Sequence, residues 1–113
     1  MKTQAAVLYE YGKPLAVEEL DLEGPRAGEV LVEYKVAGIC HSDLSILRGV
    51  IPMPPLPCIP GHEGAGVVVE AGAGVTRVKP GDHVLAVWVP SCGECYYCIR
   101  HQPYLCVQRD RAR

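Results

Sequence analysis

Proline and glycine set the strongest limit on what this chain can fold into. Ten prolines and twelve glycines stand in 113 residues, and five of the prolines crowd between Pro52 and Pro60. Proline locks φ, donates no backbone hydrogen bond and costs a helix interior about 3 kcal/mol. A helical bundle is therefore excluded, and a turn-rich, mainly β domain is expected. The clearest strand runs from Val30 to Val36, with Val30, Val32, Tyr34 and Val36 on one face and Glu33 and Lys35 on the other. Apolar stretches at 5–9 and 15–20 flank the turn Gly12-Lys13-Pro14, and Gly24-Pro25-Arg26-Ala27-Gly28 is a second break. From His41 to Arg48 the alternation gives way to a single short helical turn closed by Gly49. The proline-rich segment 52–60 is expected to be an extended loop. Two further strands are expected at 64–71 and 83–89, the second after the turn Lys79-Pro80-Gly81-Asp82. Strands at this spacing predict a small barrel or sandwich. The polar tail from Gln108 to Arg113 is expected to fray.

Hydrophobic residues make up 49% of the chain and charged residues 21%, the balance of one soluble domain spanning residues 1–113. A formal net charge of −2 offers no basic surface for nucleic acid or an anionic membrane. No apolar run approaches the roughly 20 residues of a membrane helix. The start, Met1 to Val7, meets Tyr9 and Glu10 too soon for a secretory signal core. The default compartment is then the reducing cytoplasm, where clustered cysteines hold metal more often than disulfides.

Four of the six cysteines fall within fifteen residues, as Cys92-x2-Cys95-x2-Cys98-x7-Cys106. Two C-x2-C steps let successive thiolates point at one centre, and the longer loop returns the fourth. Four thiolates complete a tetrahedral zinc shell with no open position, which makes the lobe at 90–107 a structural site. Gly93 helps the tight turn, and Pro90 and Pro103 are expected to keep its flanks non-helical. Unliganded thiols, disulfides in an oxidising compartment and an iron–sulfur centre are the competing readings, although iron–sulfur runs usually space the fourth cysteine differently.

Cys40 follows Ala37-Gly38-Ile39, and His62-Glu63 follows the proline-rich loop. One sulfur and one imidazole are ordinary zinc ligands where a site must stay open for chemistry. Taken alone, Cys40 reads equally well as a small buried hydrophobe. Cys58 is a weaker ligand candidate inside the loop, and His83 and His101 read as surface or turn histidines. Position 66 is glycine, so His62 does not begin an H-E-x-x-H motif. Neither Gly64-Ala65-Gly66 nor Gly72-Ala73-Gly74 completes G-x-G-x-x-G, so no dinucleotide-binding Rossmann unit is present.

Gly61-His62-Glu63, followed by Gly66, Gly72 and Val75, resembles the zinc signature of zinc-dependent alcohol dehydrogenases in the medium-chain dehydrogenase/reductase family. Gly38-Ile39-Cys40-His41-Ser42-Asp43 and the four-cysteine lobe match the same family in order and spacing, so the resemblance covers essentially the whole chain. It implies a GroES-like β barrel carrying a structural zinc on Cys92, Cys95, Cys98 and Cys106. It also implies a catalytic zinc held by Cys40 and His62, with Glu63 beside it as a transient ligand. In the same frame Ser42 takes the hydroxyl proton, Asp43 orients His62, and His41 touches the pyrophosphate of NAD or NADP. The substrate implied is a small alcohol or aldehyde, and the full-length enzyme is implied to be a homo-oligomer.

Two departures stand out. The family relay often continues to a histidine three residues after the serine, and here that position is Ser45. The sequence given ends at Arg113, before a third catalytic ligand, the Rossmann half and the segment that finishes the catalytic domain, so an N-terminal fragment is expected. The alternatives are a stand-alone zinc-binding β module acting through protein contacts and, more remotely, a co-chaperonin that shares the barrel. Nothing in a co-chaperonin requires the cysteine lobe or the Cys40/His62 pair.

Overall fold

Valine-rich segments separated by glycine and proline turns become the strands of the computed structural model, which describes residues 1–51 and 55–108. Strand β1 (Lys2–Val7) pairs antiparallel with β2 (Ala16–Asp21), from Lys2 opposite Asp21 to Val7 opposite Ala16. Strand β3 (Val30–Ala37) pairs antiparallel with β4 (Gly64–Ala71), which in turn pairs with β5 (His83–Leu85). Between β3 and β4 lies the helix α1 (His41–Leu47), and two 3-10 turns, Cys98–Arg100 and Pro103–Leu105, follow β5. The mainly β architecture expected from the sequence is thus present as a two-stranded and a three-stranded sheet. No Rossmann-type sheet occurs among the described residues.

The two sheets and the helix are tied together by backbone groups near the future site. Leu8 and Cys58 exchange both amide–carbonyl bonds, at 2.8 and 3.0 Å, fastening the end of β1 to the loop that precedes His62. The Gly12 amide donates to the Leu47 carbonyl at 2.7 Å and fixes the first turn against the end of α1. Leu8, Val68, Val7 and Ile46 form the buried apolar core among the described residues, one or two from each of these elements. That core is small, so much of the remaining apolar surface stays half-covered.

Three expectations need correction. The single apolar face of β3 is interrupted, because the register against β4 shifts between Leu31 and Val32 and again between Tyr34 and Val36. A bulge turns the strand and re-aims its side chains, and Tyr34 and Val36 end 59% and 65% exposed. The strand expected at 83–89 is confined to His83–Leu85. Its partner β4 begins at Gly64, whose carbonyl takes the Ala86 amide, and with no ladder partner further on the chain leaves the sheet. Pro103 does not keep its flank non-helical but opens a 3-10 turn, since a fixed φ and a missing amide are harmless at the first helical position. The segment 52–54 of the proline-rich loop and the tail from 109 onward lie outside the described residues.

Candidate metal centres

The cysteine lobe is built from local turns. The Cys95 amide donates to Cys92 Sγ at 3.3 Å, and the Cys92 amide donates to Cys106 Sγ at 3.4 Å. The four sulfurs lie within 4.8 Å of one another, with Cys92–Cys98 at 3.9 Å and Cys95–Cys106 at 4.0 Å. A disulfide needs about 2.05 Å, whereas zinc–sulfur bonds of about 2.3 Å in a tetrahedron place the sulfurs about 3.8 Å apart. The donor set therefore fits a four-thiolate metal and not a pair of disulfides. All six cysteines are free thiols.

Sulfur stands where a core would otherwise be. Cys95 and Cys106 are buried, whereas Tyr96, Ile99, Tyr104 and Leu105 are exposed. Arg100 stacks over the Tyr96 ring at 3.7 Å, and Tyr96 meets Tyr97 edge-on at 5.3 Å, so the aromatic residues dress the outside of the lobe. The electrostatics are uneven. The Cys98 and Val107 amides, foremost, lower the Cys95 thiol to about 6. Burial, aided by the neighbouring cysteines, pushes Cys98 up to about 12. The Cys92 amide, first, holds Cys106 below the usual thiol range. Four sulfurs this close favour mixed protonation, and a divalent cation is what allows all four to ionise together.

The second cluster is assembled from distant segments. Cys40, His62 and Glu63 each offer one ligand atom, and these lie within 4.8 Å of one another. Cys40 sits at the N-cap of α1, where the helix start fixes its direction. Asp43, three residues on, uses both carboxylate oxygens: Oδ2 accepts the Cys40 amide at 3.1 Å, and Oδ1 lies 3.2 Å from His62 Nδ1. One carboxylate thus positions two of the three candidate ligands, and it leaves Nε2 of His62 free to face a metal. His62 and Asp43 side chains are only 18% and 14% exposed, so this contact is shielded from solvent. Ser42 Oγ donates to Cys40 Sγ at 3.0 Å. That hydroxyl, with the Ser42 amide and then His62, holds the Cys40 thiol below its ordinary value, against partial burial and the Glu63 charge.

Two glycines make the convergence sterically possible. Gly61 has φ +115°, in the region L side chains rarely adopt, and it turns the chain so that His62 faces α1. At Gly38 a Cβ would collide with the Glu63 carboxylate, and the Gly38 amide donates to the Glu63 carbonyl at 2.9 Å. Beside the cluster is a cavity of about 410 Å³ lined by Ile46, Cys58, Ile59, Pro60, His62 and Trp88.

The family profile described as the alcohol dehydrogenase GroES-like domain matches residues 26–112, which include every residue of both clusters. The chain belongs to that alcohol dehydrogenase family. It is 58% identical over 106 residues to the putative alcohol dehydrogenase D of Mycobacterium tuberculosis (strain ATCC 25618 / H37Rv), covering 94% of this chain and 28% of that protein. It is 56% identical over 106 residues to the S-(hydroxymethyl)glutathione dehydrogenase of Paracoccus denitrificans, again covering 94% and 28%. The solved cobalt and zinc bound thermostable alcohol dehydrogenase from Pyrobaculum aerophilum superposes with a TM-score of 0.85 at 37% identity, covering 95% of this chain and 32% of that one. The chain therefore spans 28% of the length of these curated relatives.

Within this alcohol dehydrogenase domain the candidate residues divide cleanly. Cys92, Cys95, Cys98 and Cys106 come together, and so do Cys40, His62 and Glu63. Cys58 belongs to neither group; it pairs with Leu8 and lines the cavity. His41 is exposed on α1, where its Nδ1 is 3.5 Å from Ser45 Oγ. His83 and His101 are exposed, His101 in a left-handed turn at φ 60°. Sequence reasoning missed Trp88, whose indole lies 4.2 Å from the His62 ring centre. The one signal available was a lone tryptophan inside the strand expected at 83–89.

Proposed function

We propose that this chain is the catalytic-domain portion of a zinc-dependent alcohol dehydrogenase that oxidises small alcohols to aldehydes or ketones with NAD or NADP. The observation that carries the proposal is the meeting of Cys40, His62 and Glu63 beside an apolar cavity large enough for a small alcohol. Zinc held there by Cys40 and His62, with Glu63 as an exchangeable neighbour, would supply Lewis-acid polarisation of the substrate oxygen. Cys40 contributes a thiolate made accessible by the Ser42 hydrogen bonds. Asp43 keeps His62 in the tautomer that presents Nε2. Ser42 is the candidate to take the alcohol proton, and with serine at position 45 the proton would leave through water or another group. His41, exposed at the start of α1, is the candidate contact for the cofactor pyrophosphate. Cys92, Cys95, Cys98 and Cys106 hold a structural zinc.

The third catalytic ligand and the nicotinamide-binding Rossmann half are assigned to sequence outside this chain, in a cytoplasmic homo-oligomer when full length. Hydride transfer requires the nicotinamide within about 3.5 Å of the alcohol carbon, and the described residues contain no dinucleotide-binding sheet to hold it there. The purified chain, supplied with zinc and NAD(P), is expected to show no cofactor reduction with a panel of primary alcohols. Adding a separately expressed cofactor-binding half is expected to restore turnover that Cys40→Ala abolishes. Turnover by the chain alone, lost in Cys40→Ala, would contradict the division of labour. Restored turnover that survives Cys40→Ala would remove Cys40 from the metal site.

A further inference from the structure

His62 is constrained from two directions. Asp43 Oδ1 engages Nδ1 at 3.2 Å, and the Trp88 indole lies against the imidazole with ring centres 4.2 Å apart and planes tilted by 59°. A lone hydrogen bond fixes one nitrogen yet leaves the ring able to swing about that contact. An aromatic surface packed on the ring removes the swing, because tilted aromatic pairs have preferred geometries. Trp88 arrives there through the fold: after the Ala86 amide bonds to the Gly64 carbonyl, the chain leaves the sheet and crosses toward the loop carrying His62. Trp88 is the only tryptophan of the chain, and its ring meets the imidazole at the wall of the cavity.

We propose that Trp88 is a positioning residue for His62, keeping the second ring nitrogen within reach of Cys40 and Glu63 and so setting the affinity of that cluster for a divalent metal. The proposal rests on the reading of Cys40, His62 and Glu63 as a metal site. Its physical content is orientation: the indole ligates nothing, and its effect passes through the imidazole.

The test is a cobalt(II) titration of the chain with its cysteine lobe already loaded with zinc. Cobalt bound through Cys40 produces a sulfur-to-metal charge-transfer band, and a paramagnetic ion on His62 quenches Trp88 emission. Both signals are expected to rise together in the unsubstituted protein and to vanish in Cys40→Ser. Trp88→Leu, which keeps apolar bulk but removes the aromatic face, is expected to weaken cobalt binding about tenfold, the scale of groups that orient metal ligands. Trp88→Phe is expected to recover most of the loss, with lobe zinc unchanged in both variants. Equal affinity in Trp88→Leu overturns the proposal, as does a loss in Trp88→Leu that Trp88→Phe fails to recover. Should the variants not fold, a charge-transfer band without quenching in the unsubstituted protein overturns it, since the indole is then not at the liganding ring. No band at all overturns the metal reading, and the proposal with it.

Discussion

The two ligand clusters solve the same problem by opposite means. The cysteine lobe gathers four donors from fifteen consecutive residues, using short turns and amide-to-sulfur bonds, with almost no apolar core beneath it. The Cys40/His62/Glu63 cluster gathers three donors from two segments, and its key contact joins residues nineteen apart in sequence. Here a helix cap, a sheet and a glycine turn do the positioning. A local cluster depends on its metal for order. A long-range cluster inherits order from the fold and can leave a coordination position open for chemistry.

The largest difference should appear when Cys95 is replaced by serine. In zinc-binding peptides the metal contributes an apparent 10–16 kcal/mol, roughly, to folding, and this lobe has only Cys95 and Cys106 buried. Cys95→Ser should open residues 92–106 to limited proteolysis while strands β1 to β5 stay protected. Chelator should do the same to the unsubstituted chain. Equal protection of the lobe with and without chelator would show that it has a metal-independent core.

Metal stoichiometry sharpens the contrast. One tightly held zinc per chain is expected at the lobe, and a second, much weaker one at Cys40/His62/Glu63, because three donors leave the shell unfinished. Acid should strip the lobe in a defined direction. Cys98 retains its proton up to about 12, so metal uptake at neutral pH releases it and affinity falls as pH falls. Below about 6 Cys95 competes for a proton as well, and release steepens. Two equivalents of equal affinity by elemental analysis, or release independent of pH, would erase the distinction drawn between the clusters.

The same contrast explains what the sequence made legible. Cys92-x2-Cys95-x2-Cys98-x7-Cys106 announces its geometry, because the spacing nearly determines the turn. Cys40 and His62 were legible as ligand candidates, but their joining, and the role of Asp43, came only through resemblance to a family, since no spacing rule places a helix cap against a loop across the intervening chain. Strand β4 was readable to the residue, from its glycine start and valine run. The shift that takes Val36 out to solvent was not, because a bulge depends on which residues face each other across β3 and β4. Trp88 was invisible for a related reason: its contact with His62 exists only because β5 ends where β4 offers no further partner.

A smaller effect is expected from Asp43→Asn. The amide side chain can still accept the Cys40 N–H but carries no charge to hold the Nδ1 proton of His62. Removing a partner of this kind typically costs 10–100-fold in metal affinity. The variant should weaken cobalt binding at the second cluster within that range and leave the lobe's zinc untouched. Equal loss at both clusters would mean Asp43 supports the fold as a whole rather than one site.

The smallest effect concerns the scaffold alone. Asp82 accepts the Lys79 amide at 2.9 Å and its ammonium at 3.2 Å, closing the turn between β4 and β5. The Lys79 amide, foremost, then its side chain, hold the Asp82 carboxyl below the ordinary carboxylate value. A depressed carboxyl stabilises the fold fully above its unfolded value, about 3.9, and the contribution disappears as pH falls through the lower folded value. The Val68 amide donates to the Asp82 carbonyl and the Gly81 amide to the Val68 carbonyl, so local opening of the turn is read at those two amides. Hydrogen exchange there should be faster in Asp82→Asn than in the unsubstituted chain at about pH 6, and the ratio should fall toward one as pH is lowered through the folded carboxyl value. Exchange within the lobe should not distinguish the two proteins at either end of that range, because the Asp82 side chain bonds to Lys79 in its own turn. A ratio that stays constant with pH would show that the turn is held by its backbone bonds alone.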